Sequence, residues 1–150
     1  MQTAEALASL TNLKIHATPA FRERSVGVLS GLTFNEAAEK HEREYRALVE
    51  REFDFVMTGG ESYRQMLARA TSELDRVLSV HEAERIAVFS HTGTICLLVL
   101  HLLGSLDADN PRPVWIATRN CGIAHFEFRR DSIPRLHAVN DTRHLEVLYR

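Results

Sequence analysis

The stretch that most restricts what this chain can become is the unbroken apolar run Ile86-Ala87-Val88-Phe89. It is followed directly by Ser90-His91-Thr92-Gly93 and then by a second apolar segment. Four apolar residues without alternation read as a strand buried on both faces, the habit of parallel sheets in α/β proteins. The pattern after it predicts a helix from about Thr94 to Leu103, and Gly104 suits the left-handed position that ends one. Other segments fit the same plan. Residues 2–10 read as helical. Thr33 and Glu36 make a T-x-x-E capping box at the start of a helix over Thr33–Val49. Its outer face is a solvated mixture of Glu39, Lys40, Glu42, Arg43, Glu44 and Arg46. Gly59-Gly60 breaks the chain before a helix from about Glu61 to Val80, where Tyr63, Met66, Ala70, Leu74 and Val77 step at three and four. Val114–Thr118 and Ile123–Phe128 read as paired strands around Arg119-Asn120-Cys121-Gly122, with Leu136–Val139 as a last strand. Helices alternating with apolar strands, and no repeat or linker, predict a single α/β domain over residues 1–150.

Composition narrows the function classes. Of 150 residues, 45% are hydrophobic and 25% charged, which is ordinary for a folded domain. A chain of this length buries roughly 68–70% of its unfolded surface and needs neither disulfide nor metal to hold a core. A formal net charge of −2, with no long run of one sign, argues against a grip on nucleic acid or on an anionic membrane. The longest apolar run, Ile95–Leu100, falls far short of the ~20 residues of a membrane span. Met1-Gln2-Thr3-Ala4-Glu5 lacks the basic start and apolar stretch of a signal peptide. Cys96 and Cys121 lie far apart with no CxxC pair, which points to a reducing cytoplasm.

Chemistry concentrates at two places. His91 sits where ligands of open α/β sheets bind, beyond the carboxyl end of a strand. The helix that follows aims free amides and its positive end at the same space, which favours an anion such as phosphate, and Gly93 lets the backbone come close. A hydrogen-bonded structural histidine is the alternative for His91. Glu23, in Phe21-Arg22-Glu23-Arg24, is the second candidate. Beside cations it stays ionised unless desolvation or a bound anion opposes them, and the alternative is an exposed acid among surface ion pairs. Arg112 and Arg119 are further candidates to frame a substrate. The eight histidines show no HExxH and no Cys/His zinc spacing, so no metal or other cofactor is expected. Walker, GxGxxG and Gly-x-Ser-x-Gly motifs are absent as well, which removes P-loop, Rossmann and serine hydrolase readings.

Taken in order, these pieces resemble the histidine phosphatase superfamily, with its phosphoglycerate mutase-like fold. The matching stretches are Gln2-Thr3-Ala4-Glu5-Ala6-Leu7, Phe21-Arg22-Glu23, Gly31-Leu32-Thr33, Gly60-Glu61-Ser62 and Ile86 through Gly93. They continue through Leu102-Leu103-Gly104, Asn120-Cys121-Gly122-Ile123, Asn140-Asp141 and His144-Leu145, so the resemblance covers essentially the whole chain. It implies an α/β sheet flanked by helices and a phosphomonoesterase acting on a small phosphorylated metabolite. It also implies that Glu23 matches the acidic proton donor and that His91, with Thr92 and Gly93, matches the second histidine of the phosphate pocket.

Three of the family's groups have no counterpart in these 150 residues: the nucleophilic histidine of an Arg-His-Gly motif and two phosphate-binding arginines. The first strand, first helix and second strand of the family fold are likewise without a match. His-Gly-Gly reads His91-Thr92-Gly93, and a Trp-Glu pair reads Leu29-Ser30. The resemblance places the missing strand beside Ile86–Phe89, whose edge is then bare and expected to pair with another copy in a homo-oligomer, to pair with a separate piece, or to rearrange. Two readings follow: a phosphatase domain whose nucleophile lies outside this chain, or a non-catalytic binding and self-association module.

Overall fold

A computed structural model describes residues 2–82, 84–106, 114–129 and 133–149. Helix α1 spans Gln2–Thr11 and buries none of its residues. After short 3-10 turns at Pro19–Phe21 and Gly27–Leu29 come α2, Phe34–Lys40, and α3, Glu42–Val49. Then follow α4, Tyr63–Val80, and α5, Thr92–Leu102. A two-stranded antiparallel sheet of β1, Ile123–Glu127, and β2, Arg135–Asp141, precedes a final 3-10 segment, Arg143–Tyr149. No helix among the described residues is long and apolar enough to cross a membrane.

The long helices form where the sequence pattern puts them. Tyr63, Met66, Ala70 and Leu74 are the buried stripe of α4. Its N-terminus carries a full capping box: the Ser62 hydroxyl accepts from the Gln65 amide (3.1 Å) and the Gln65 side chain accepts from the Ser62 amide (2.8 Å). Helix α5 is buried nearly all round, at Gly93, Thr94 and Cys96 through Leu100, and packs on α4. Phe53, Tyr63, Met66, Cys96, Leu97 and Leu100 form the main core cluster. Gly104 adopts the left-handed conformation, φ +63°, expected of the residue after this helix.

Three elements differ from expectation. The helix predicted over Thr33–Val49 starts with its Thr33–Glu36 capping box but breaks at His41 (φ −141°, ψ 56°) into α2 and α3. The bend brings Ala37 and Ala47, which a straight helix would hold ~15 Å apart along its axis, into one cluster with Leu29 and Met57. Helix α3 ends in a Schellman motif, with the Arg51 amide donating to Leu48 O and the Glu52 amide to Ala47 O. Arg51 thus occupies the left-handed position, φ +54°, that glycine usually fills, at a cost of about 1 kcal/mol.

The largest departure is Ile86–Phe89. It has no regular secondary structure, no backbone hydrogen bond joins it to another described residue, and Ile86, Val88 and Phe89 are 39%, 38% and 43% exposed. It is neither a ladder strand nor buried on both faces, because composition specifies the surroundings a strand suits and not the neighbour that completes its hydrogen bonds. Val114–Thr118 also makes no ladder with any described residue. Trp115 and Ile116 pack on the main core instead, and the Ile116 amide donates to Cys96 Sγ (3.3 Å). β1 pairs with β2, with Phe126 opposite Leu136 and Glu127 opposite Arg135, so the last predicted strand takes the place expected of residues 114–118.

Ser62→Ala removes the acceptor for one helix amide while leaving the α4 stripe intact. Urea unfolding is expected to show a loss of about 1 kcal/mol with an unchanged denaturant slope.

Candidate active site

The segment that carries Glu23 is fixed by an ion pair on α4. Arg69 Nε and Nη2 donate to the two oxygens of Glu61 (3.0 and 2.7 Å), and both side chains are largely buried. Arg69 also reaches three carbonyls of residues 20–23: Nη1 donates to Ala20 O and Arg22 O, and Nη2 to Glu23 O. Glu61 also accepts from the Ser25 amide (3.0 Å) and lies 3.6 Å from Arg22. Burial works to raise the Glu61 pKa, yet the Arg69 and Ser25 hydrogen bonds and the charges of Arg69 and Arg22 together hold it below its ordinary value. Behind this clamp the backbones of residues 25–28 and 57–61 touch. A Cβ on Gly27 would lie 2.0 Å from Thr58 O, so only glycine fits there.

The clamped loop is then stitched to the start of α5. Ser90 Oγ donates to Phe21 O (2.6 Å) and Thr94 Oγ1 to Arg22 O (2.9 Å). The Glu23 carboxylate lies between them and accepts from the Gly93 amide (2.8 Å) and the Arg24 amide (2.9 Å). A Cβ at position 93 would stand 2.6 Å from Glu23 Oε1, so the approach depends on Gly93. His91 is the N-cap residue of α5, with extended backbone and no side-chain cap bond. Its ring is exposed and makes no hydrogen bond to any described residue, in contrast to a structural histidine. Thr92 opens the helix and is exposed. The helix start is therefore not wholly free for an anion: Glu23 supplies from another segment the acceptor that His91 does not.

Of the residues singled out in the sequence, Glu23, His91, Thr92 and Gly93 come together. Arg119 does not join them. It precedes β1 in a tight turn, its amide bonded to Asn140 Oδ1 (2.7 Å), and no hydrogen bond or ion pair links it to Glu23 or His91. Arg112 lies outside the described residues.

Two features escaped the sequence. Arg24 is only 6% exposed, its guanidinium 3.7 Å from the centroid of the Tyr63 ring, and neither terminal nitrogen has a hydrogen-bond partner among the described residues. Desolvation lowers its pKa against the opposing pull of Tyr63, Glu23 and Glu61. The Tyr63 hydroxyl is pushed up, chiefly by burial, and so is the Cys96 thiol, which is an unreactive core sulfur. Nothing in Arg22-Glu23-Arg24 distinguishes the exposed arginine from the buried one, since extended alternation would put both on the same side. The Glu61–Arg69 pair spans a helix cap and had no local signature.

Arg69→Met leaves Glu61 buried with its strongest partner gone, and is expected to lower stability by about 3 kcal/mol in urea unfolding near neutral pH. The depressed Glu61 pKa means that wild type holds this contribution above the ordinary glutamate value of about 4.3 and loses it as the pH falls through the folded-state pKa. In the variant only the Ser25 hydrogen bond and the Arg22 charge are left to oppose burial, so that pKa rises relative to wild type. The gap between the two proteins is therefore expected to narrow as the pH falls below about 4.

The family model of the histidine phosphatase superfamily (branch 1) matches residues 1–142. Phosphoserine phosphatase 1 of Hydrogenobacter thermophilus is 29% identical over 147 residues, 98% of this chain and 68% of its own length. The metal-independent phosphoserine phosphatase of Arabidopsis thaliana is 34% identical over 85 residues, 56% of this chain and 36% of its own. Among solved structures, Bacillus stearothermophilus YhfR superposes with a TM-score of 0.81 at 16% identity, covering 96% of this chain and 70% of that one. The α-ribazole phosphatase of Shigella flexneri gives 0.76 at 18%, covering 93% and 67%. The chain thus spans between about a third and two thirds of the curated relatives it matches, and its α/β fold is that of these two solved structures. It belongs to the histidine phosphatase superfamily, branch 1.

Proposed function

We propose that these 150 residues carry the acid–base half of a phosphomonoesterase site acting on a small phosphorylated metabolite, with the phosphohistidine nucleophile and the phosphate-binding arginines supplied from outside them. The observation that carries this reading is the Glu23 carboxylate, held at the first turn of α5 beside an exposed, unbonded His91. The phosphoserine and α-ribazole phosphatases among the relatives support the reaction class. The substrate phosphate sits against His91, Thr92 and the start of α5. A nucleophile attacks phosphorus in line and the P–O bond to the leaving group breaks. Glu23, protonated, gives its proton to the departing oxygen. The carboxylate left behind is received by amides already in place, those of Gly93 and Arg24, so no reorganisation accompanies the charge it gains.

With three cationic or nucleophilic groups absent, and ~10²–10³ in rate commonly lost for one such group, the chain by itself is expected to hydrolyse an aryl phosphate no faster than its His91→Ala variant. Wild-type turnover that disappears in His91→Ala would overturn the placement of the nucleophile and leave a complete site within this chain.

One observation favours a second reading, a non-catalytic self-association module: the exposed, unpaired run Ile86–Phe89. On that reading the chain assembles into a homo-oligomer through this edge in the cytoplasm. Analytical ultracentrifugation is expected to show a defined oligomer that Val88→Lys converts to monomer; a wild-type monomer at all concentrations removes the reading.

A further inference from the structure

The Glu23 carboxylate stands, in this structure, in the seat of an anion. Helix geometry leaves the first amides of α5 without partners inside the helix, and these are the donors a phosphate at the helix start accepts from. His91 at the N-cap supplies no side-chain acceptor for them. Glu23 does so from a segment 70 residues away: one oxygen accepts from the Gly93 amide (2.8 Å). The other accepts from the amide of its neighbour Arg24 (2.9 Å). Gly93 is the second residue of α5, next to exposed His91 and Thr92, yet it is itself buried. The carboxyl group of Glu23 is what covers it: the three atoms nearest a Cβ built at Gly93 all belong to that group. A phosphate placed against this turn meets an amide already engaged and, beside it, a like charge.

This contact does not hold the loop in place. Arg69 fixes the carbonyls of Ala20, Arg22 and Glu23, and the hydroxyls of Ser90 and Thr94 fix those of Phe21 and Arg22. All of these bonds end on main-chain atoms of the loop, so the Glu23 side chain can turn without loosening the segment that carries it. Its other partner, the Arg24 amide, belongs to the next residue of that same segment. Turning about the Arg24 bond takes the second oxygen off Gly93 while both amides stay where loop and helix hold them.

We propose that the Glu23 carboxylate is an internal competitor for the phosphate seat at the start of α5, and that an anion binds there as Glu23 pivots off the Gly93 amide. The proposal rests on the phosphomonoesterase reading and adds to it a regulation of the same site. With Glu23 seated, the binding-competent form is a fraction of the population, and the apparent affinity falls by that fraction. Inorganic phosphate, the product of any phosphomonoesterase, is thereby kept from saturating the site.

Inorganic phosphate tests this on the full 150-residue chain. Glu23→Ala, which empties the seat, is expected to bind it about tenfold more tightly than wild type in calorimetric titration, the scale of one hydrogen bond to a charged group. Glu23→Gln, which keeps an acceptor near Gly93 without the charge, is expected to fall between the two. In amide NMR spectra of wild type, the Gly93 resonance is expected to move, as phosphate is added, toward its position in phosphate-loaded Glu23→Ala. Melting temperatures check that each variant is folded, and Glu23→Gln carries the test if Glu23→Ala is not. Equal or weaker binding by the folded variants overturns the competition, as does a wild-type Gly93 resonance that stays in place while phosphate binds. If His91→Ala abolishes a binding that the Glu23 variants leave unchanged, the phosphate reading stands and only the competition falls. Binding to none of these proteins removes both.

Discussion

The arrangement of the site depends on one buried ion pair. Arg69 and Glu61 sit on α4 and just before it, and between them they engage Ala20, Arg22, Glu23 and Ser25 through main-chain atoms, with the Arg22 side chain adding an ion pair to Glu61. Apart from Arg22, that choice of partners leaves the clamp independent of the side chains it holds. Residues 22–24 are therefore free to point a charge outward at Arg22, into the site at Glu23 and into the core at Arg24. A buried pair of this kind adds little net stability relative to apolar replacements, but its hydrogen bonds have directions, and direction is what a loop without secondary structure lacks.

From this clamp the rest is built by short reach. Ser90 and Thr94 tie the α5 start to the same loop, and Gly93 leaves room for the carboxylate that crosses between them. Below, Thr94, Met66 and Cys96 close the core; above, Tyr63 and Trp115 carry the guanidiniums of Arg24 and Arg51. The polar site and the main hydrophobic cluster thus share residues, and Tyr63 belongs to both.

What the sequence revealed follows from how local each signal is. The T-x-x-E box at Thr33, the stripe of α4 and the stop at Gly104 all depend on neighbours within four residues, and all formed. His91, Thr92 and Gly93 stood out because a strand-like run, a turn and a helix put them beside the free amides of a helix start; Glu23 stood out only as an acid between two arginines, and its bond to the Gly93 amide had no local signal. The partner of each extended segment was not legible. Residues 114–118 and 135–141 are equally plausible mates for β1 by composition, and the choice was made by Trp115 and Ile116 finding the core. Arg24 and Arg51 were opaque for another reason: a charged residue reads as surface unless something distant accepts it, and here the acceptors are rings far along the chain.

The bare run Ile86–Phe89 also shapes how the chain behaves before it is folded. Closing the clamp and docking α5 are events within one molecule, with rates independent of concentration. Pairing one exposed apolar strand with another is an encounter between molecules, and its rate grows as the square of concentration. Refolding yield is thus tied to dilution. The four residues that lead into the site are the ones through which a crowded solution of unfolded chains is first drawn into aggregates.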